Sequence, residues 1–137
     1  MGLELFIPCF LDQCAPQVAN AVAELPARLG VAVHYPADQT CCGQFAWTAG
    51  DPATARRLMR HFLRVFAEAE TILCPSASCT YMVRHCYPQL AEGQREERAV
   101  AALAARVREL SEWLYAWGPL PLTPQFTGSL VLHQSCK

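Results

Sequence analysis

The sequence lacks an excess of charge of either sign. Lys and Arg total 11 and Asp and Glu total 12, so the formal net charge is −1 over 137 residues. A nearly neutral chain has little general attraction for phosphate backbones or acidic membrane surfaces. We therefore do not expect nucleic-acid binding.

Long hydrophobic runs are also absent. No stretch approaches the roughly 18 apolar residues that a membrane-spanning helix needs. Residues 1–9 contain neither the basic region nor the apolar core that marks a secretory signal. We expect a cytoplasmic protein with no membrane span. In that compartment structural disulfides are rare, so a cysteine pattern more often binds metal or serves catalysis.

Common functional fingerprints are missing as well. The sequence has no GxGxxG after its first predicted strand, no GxxxxGK[ST], and no CxxC redox pair. Cysteine, in contrast, is abundant, with 8 residues in the chain. That density exceeds ordinary usage but stays below that of a small disulfide scaffold.

The hydrophobic pattern predicts short strands that alternate with helices. Strands are predicted at residues 3–7, 31–35, 71–74 and 129–132, and helices at 15–29, 52–69 and about 76–86. A further helix carries apolar residues at steps of three and four from Val100 through Val107 to Trp117. This order predicts an α/β domain, with a mostly parallel sheet of about four strands and helices on both faces.

Most of the cysteines follow predicted strand ends. The residues in such positions are Cys9, Cys41, Cys42, Cys74, Cys79 and Cys136. Because the carboxyl ends of parallel strands meet at one edge of a sheet, we expect these thiols to converge. Cys14 and Cys86 do not share the pattern and are expected to be small buried hydrophobic residues.

Converging thiolates repel one another unless a cation neutralises them. Thiolates are soft ligands that select zinc, copper(I) or iron–sulfur clusters. Paired zinc ligands are usually spaced by two to four residues, whereas Cys41 and Cys42 are adjacent. The adjacent pair favours a larger cofactor with several metal atoms, such as a metal cluster.

Other uses of the thiols stay open from the residues alone. The same cysteines could form a structural or regulatory zinc site, or Cys41 or Cys42 could act in thiol redox sensing. A Cys–His nucleophile is a further alternative. The histidines available for it are His34, His61, His85 and His133.

These motifs resemble the cysteine-rich CCG domain family, which includes a heterodisulfide reductase component and the glycolate oxidase iron–sulfur protein. Cys9, Cys41-Cys42-Gly43 and Cys79 carry the resemblance. The segments most similar to the lactate-utilisation members of the family are 6–9, 35–36, 39–44, 75–79 and 110–112. The resemblance extends over nearly the whole chain.

The resemblance implies a cofactor and a function. It implies a [4Fe–4S] cluster on Cys9, Cys41, Cys42 and Cys79, in an electron-transfer subunit of a cytoplasmic oxidoreductase complex that oxidises L-lactate to pyruvate. The implied partners are the other subunits of that complex and an electron-carrying protein or quinone. Cys74 and Cys136 are possible additional ligands.

The resemblance also bears on ligand number and domain organisation. Where the heterodisulfide reductase pattern ends in CxxC, this sequence has Ser76-Ala77-Ser78-Cys79, so a four-thiolate cluster is the simpler expectation. The family carries two such modules in tandem. Residues 1–117 would form the first module and 118–128 a proline-rich linker, and residues 129–137 would open the second.

Overall fold

The computed structural model describes residues 2–121, 123 and 125–132. These residues form a four-stranded sheet in the order β2-β1-β3-β4, and every adjacent pair of strands is parallel. The strands are β1 (Leu3–Leu5), β2 (Val33–His34), β3 (Thr71–Cys74) and β4 (Val107–Glu109). The predicted α/β fold is confirmed.

Helices connect the strands. They are α1 (Cys9–Cys14), α2 (Pro16–Arg28), α3 (Gln44–Thr48), α4 (Pro52–Val65), α5 (Ala77–Tyr81), α6 (Tyr87–Ala91), α7 (Glu97–Ala104) and α8 (Leu110–Trp117). A π-helical turn, Met82–Cys86, joins α5 to α6. Within the part of the chain that the structure describes, no helix is both long enough and apolar enough to cross a membrane.

Helix α4 begins where its sequence predicts. The Asp51 carboxylate accepts a hydrogen bond from the Thr54 backbone N–H at 3.0 Å, and Pro52 occupies the first helical position. Both are standard signals for a helix start, because a cap satisfies a free N–H and proline has no N–H to satisfy. The helix then buries Ala55, Met59 and Phe62.

The π-helical turn precedes a proline. Pro88 lies at the start of α6, and the Tyr87 N–H donates to the carbonyl of Met82, five residues back. In an ordinary α-helix the proline ring would clash with the carbonyl of Arg84. The wider turn lets the chain stay helical from α5 through α6, and Tyr87 lies in the core.

Helices pack on both faces of the sheet, as predicted. On one face Phe6 and Ile72 contact the larger core, which α4, α6 and α7 complete. Phe62 is central there, because its ring meets those of Phe6 at 4.9 Å and Tyr87 at 5.6 Å, both edge to face. On the other face Leu5 and Leu73 pack against α2 and α8.

The prediction of one continuous helix from Val100 through Val107 to Trp117 is wrong. The chain instead forms α7, β4 and α8. Val107 pairs with Ile72, so β4 completes the free edge of β3. The capping box at Glu109 and Glu112 then starts α8. Pairing with β3 satisfies backbone groups that an uninterrupted helix would have bonded locally, and it buries Val107 completely.

The strand predicted at residues 129–132 is not formed either. These residues pair with no strand of the described chain, and Leu130, Val131 and Leu132 are largely exposed. The fourth strand is β4 instead. The predicted boundaries of a first module, a linker and a second module stay a prediction.

We predict that Phe62→Ala lowers the free energy of unfolding by about 3–5 kcal/mol, because truncating a buried aromatic ring leaves a cavity among its neighbours. Urea unfolding would measure the loss. Tyr115→Ala is the control, because Tyr115 is 90% exposed and its truncation should change the stability by no more than about 0.5 kcal/mol. Equal losses in the two variants would contradict the core described above.

Candidate metal centre

A cavity of about 230 Å³ lies at the carboxyl edge of the sheet. Its lining includes Cys9, Cys41, Cys42 and Cys79. Cys9 begins α1 after β1, the adjacent pair lies in the loop between β2 and α3, and Cys79 lies in α5 after β3. The structure therefore brings together four thiols from three separate segments.

The four thiols form an inner and an outer pair. The Sγ atoms of Cys42 and Cys79 lie 3.5 Å apart, and these residues are only 3% and 9% exposed. Cys9 and Cys41 are half-buried. The site thus has a dry side and a side that water reaches.

Gln39 fastens the loop that carries Cys41 and Cys42. Its side-chain carbonyl accepts the Ile7 N–H at 2.7 Å, and its amide donates to the carbonyls of Leu5 and Pro36 at 3.0 Å each. Strand β2 ends at His34, so the Gln39 side chain replaces a strand neighbour along the end of β1. The loop is thereby fixed relative to Cys9.

Gly43 allows the loop to turn into α3. Its φ of +86° lies in the left-handed region, where side chains are strained. A Cβ atom there would also lie 3.3 Å from the Cβ of Leu58. The Gly43 N–H donates to the Sγ of Cys41 at 3.3 Å. The glycine therefore combines a turn, a close approach to α4 and a donor for a site sulfur.

Tyr87 holds the same loop from the core side. Its hydroxyl donates to the backbone carbonyl of Cys42 at 2.9 Å, and the side chain is completely buried. Burial raises the pKa of the phenol well above its usual value, so the group stays a neutral donor. Tyr87 thus links the π-helical turn to the position of Cys42.

The thiols perturb one another electrostatically. The hydrogen bond between Cys42 and Cys79 lowers the pKa of Cys79, and the neighbouring hydroxyls of Ser76 and Ser78 lower it further. The same bond, together with burial, raises the pKa of Cys42. Burial and the neighbouring Cys41 raise the pKa of Cys9 to about 11. The inner pair therefore loses a first proton readily and resists losing a second.

The described lining of the cavity contains no Lys, Arg or His, and no carboxylate. Negative charge on several thiolates therefore has no side-chain cation to balance it. The donor set consists of sulfur only, which suits a thiophilic metal group. Among the described residues, no three Cys, His, Asp or Glu side chains are arranged to hold a single metal ion.

The other cysteines that the structure describes do not line this cavity. Cys74 is completely buried, and burial raises the pKa of its thiol to about 12. Cys86 is buried, as predicted. The prediction that Cys14 is buried is wrong, because this residue ends α1 and is exposed. Cys136 lies outside the described residues.

Three of the histidines considered as partners of a nucleophile are described by the structure, and they lie outside the cavity lining. His34 lies 2.7 Å from the Glu4 carboxylate, and His61 is hydrogen-bonded to the Asp38 carbonyl. Neither these two nor His85 lines the cavity, and His133 lies outside the described residues.

Sequence reasoning missed the roles of Gln39 and Tyr87. Gln39 lies within segment 39–44, which carries part of the resemblance, but nothing in its spacing shows that its amide bonds to β1. Tyr87 carries no sequence signal for a contact with Cys42, since its contact depends on the π-helical turn. Both roles become visible only when the loop and the helix are placed together.

Comparison with known proteins places this geometry in a family. The CCG model, described as a cysteine-rich domain, matches residues 3–84. Lactate utilization protein A 2 of Bacillus cereus is 37% identical over 139 residues, which cover 99% of this chain and 57% of that protein. For lactate utilization protein A of Geobacillus kaustophilus, the identity is 39% over 115 residues, covering 83% and 48%.

The chain spans about half the length of the curated relatives that it matches. No solved structure matches it. The matched range, residues 3–84, includes all four cysteines that line the cavity. On this match the chain belongs to the CCG cysteine-rich domain family.

Proposed function

We propose that this chain binds a [4Fe–4S] cluster through Cys9, Cys41, Cys42 and Cys79 and acts as an electron-transfer component in the oxidation of L-lactate to pyruvate. The observation that carries the proposal is the convergence of these thiols on one cavity. A bound cluster would supply one-electron transfer at a potential set by its surroundings.

The charge balance of the cavity supports a bound cationic group. Several thiolates close together repel one another, and the described lining offers no basic side chain to neutralise them. Iron bound by the four sulfurs would provide that positive charge. The adjacent pair Cys41 and Cys42 favours a group with several metal atoms over one tetrahedral zinc ion, whose paired ligands are usually spaced further apart.

The chain's own residues would orient the sulfurs and limit the access of water. Gln39 and Tyr87 fix the loop, and the Gly43 N–H supports the Cys41 sulfur. Burial of Cys42 and Cys79 keeps one side of the site dry. Hydrogen bonds and solvent exposure are among the factors that set the potential of a thiolate-bound cluster.

The relatives support the assignment to lactate utilisation. Those reported above are named lactate utilization protein A. Oxidation of L-lactate to pyruvate releases two electrons and two protons. The described cavity lining has no Arg or Lys to pair with the lactate carboxylate, so we assign electrons to this site and the substrate to another subunit. We place the complex in the cytoplasm, with an electron-carrying protein or a quinone as its redox partner.

One alternative has a specific observation in its favour. The 3.5 Å separation of the Cys42 and Cys79 sulfurs would suit thiol–disulfide chemistry. Reactive thiolates, however, usually lie beside Lys, Arg or His⁺, and the described lining has none of these. A cluster therefore accounts for the donor set better than a reactive thiol.

Anaerobic purification tests the proposal directly. We expect a brown protein that contains iron and acid-labile sulfide and whose visible absorbance bleaches on reduction. Metal analysis and titration of free thiols would accompany the spectrum. A colourless protein with about one zinc per chain would support a zinc site instead. A metal-free protein with titratable thiols would support thiol redox chemistry.

We predict that Cys42→Ser greatly reduces the iron content, whereas Cys14→Ser retains it. Loss of a residue that only supports a metal ligand typically costs about 10–100-fold in metal affinity, so loss of a ligand should cost at least as much. Cys14 is a matched control because it is an exposed thiol outside the cavity lining. Equal iron content in the two variants, with both folded by circular dichroism, would remove the case for this site.

We also predict that Cys74→Ala retains iron. Cys74 is completely buried and does not line the cavity. The substitution should cost about 1 kcal/mol of stability through lost apolar contacts. Iron analysis and urea unfolding would separate the two effects. Loss of iron from a folded Cys74→Ala protein would show that Cys74 is a ligand after all.

A further inference from the structure

Another cavity, of about 160 Å³, lies where the C-terminal half of α4 meets the residues that precede α7. The described residues that line it are Arg60, Leu63, Arg64, Arg95 and Glu96. None of them lines the thiol cavity. A water molecule occupies about 30 Å³ in the liquid, so this cavity has room for a small anion together with some water.

The cavity carries an excess of positive charge. Three guanidinium groups line it, against the single carboxylate of Glu96. That carboxylate pairs with the Nε of Arg60 and lies 3.9 Å from the Nε of Arg95, so these two cations share one counter-ion. Arg64 makes no ion pair with a described carboxylate. A bound anion would balance the remaining charge.

Hydrogen-bond donors remain available on Arg60 and Arg64. Each guanidinium has five N–H groups, and Arg60 uses its Nε for Glu96. Arg64 donates from Nη2 to the Nδ1 of His61 at 3.3 Å. Because arginine cannot accept, His61 is the acceptor there, and its Nε2 donates to the Asp38 carbonyl at 2.6 Å. Each arginine thus has one donor in use on a described side chain, and the others are left for a ligand.

The arginines of α4 are not all needed for packing. Helix α4 contains four arginines and no acidic residue. Arg56 joins two elements, because its Nε donates to the carbonyl of Leu90. Arg64 makes its side-chain bond within α4 itself, and it lies four residues from Arg60, a spacing at which like charges weaken a helix. An anion held by both arginines would relieve that repulsion.

We propose that this cavity binds the phosphate group of a small molecule through Arg60, Arg64 and Arg95. Guanidinium groups bind phosphate through charge-assisted hydrogen bonds. A phosphate group offers at least three terminal oxygens in a tetrahedral arrangement, whereas a carboxylate offers two in one plane. Three guanidinium groups from two segments of the chain therefore match a phosphate group better. The inference goes beyond the proposed function and does not depend on it, because no cysteine takes part.

Calorimetric titration with inorganic phosphate tests the proposal, with sodium chloride added to keep the ionic strength constant. The side chains of Arg60 and Arg95 are 45% and 97% exposed, so water competes for them and we expect a Kd of about 1 mM. Arg64→Ala should weaken binding at least about tenfold, because it removes hydrogen bonds between charged groups.

Arg28→Ala is the matched control. Arg28 is also the basic residue in the last turn of its helix, α2, and it is exposed and does not line the cavity. It should bind phosphate as the wild type does. If Arg64→Ala fails to fold by circular dichroism, Arg95→Ala takes its place, because the Arg95 side chain is almost fully exposed and its loss should leave the fold intact.

Three results would overturn the phosphate site. One is a wild-type protein that binds no phosphate at about ten times the expected constant. Another is unchanged affinity in folded Arg64→Ala and Arg95→Ala proteins. The third is an equal loss of affinity in Arg28→Ala, because this would show a general attraction of anions to positive charge. All three can be read whether or not the protein contains iron, so they leave the proposed function untouched.

Two further ligands identify the source of the phosphate group. Tighter binding of glycerol 3-phosphate than of inorganic phosphate would support the site and indicate a phosphate monoester, whose organic part would contact Leu63. The opposite order would support the site with inorganic phosphate as its ligand. Succinate is the comparison for a dicarboxylate, and succinate that binds as tightly as phosphate would overturn the assignment to a phosphate group.

Discussion

Parallel pairing of β1 with both of its neighbours is the constraint on which the thiol site depends. Leu3–Leu5 pairs with β2 on one side and with β3 on the other. Three segments that are distant in sequence must therefore leave the sheet at the same edge. The pairing with β2 covers only two residues, and the Gln39 side chain extends the contact beyond it. A short strand and one amide thus determine where the Cys41-Cys42 loop lies.

Much of the site could be predicted because local signals and topology agree. Strand β3 reads as a short apolar run, and Asp51-Pro52 marks the start of α4. Once parallel strands are inferred, the convergence of cysteines after them follows from geometry alone. What the pattern does not contain is how the loop is held. The bonds made by Gln39 and Tyr87 depend on contacts across 34 and 45 residues of sequence, respectively, and no local periodicity encodes such contacts.

The errors in the fold have a common physical cause. Val107 fits the apolar spacing of a helix, and Ala104, Ala105 and Arg106 before it are good helix formers with no glycine or proline to interrupt them. Residues 107–109 nevertheless form a strand, because they pair with the free edge of β3. Residues 129–132 show the reverse, because they have strand-like composition but no partner among the described strands. A segment forms a strand only where a sheet edge is unpaired, and the pattern of one sequence does not show which sheet edges are unpaired.

The residues that line the centre also determine how negative charge on its thiolates can be balanced. A site built to activate one thiol would gain from a neighbouring cation, yet the described lining surrounds four thiols with aromatic rings, prolines, hydroxyls and one amide side chain. Fixed cations there would compete with a bound metal group for the same sulfurs. A neutral donor such as the Gly43 N–H does not compete in this way, because it stabilises charge on the Cys41 sulfur without replacing the metal. The composition of the cavity is therefore better matched to holding a positively charged group than to thiol catalysis.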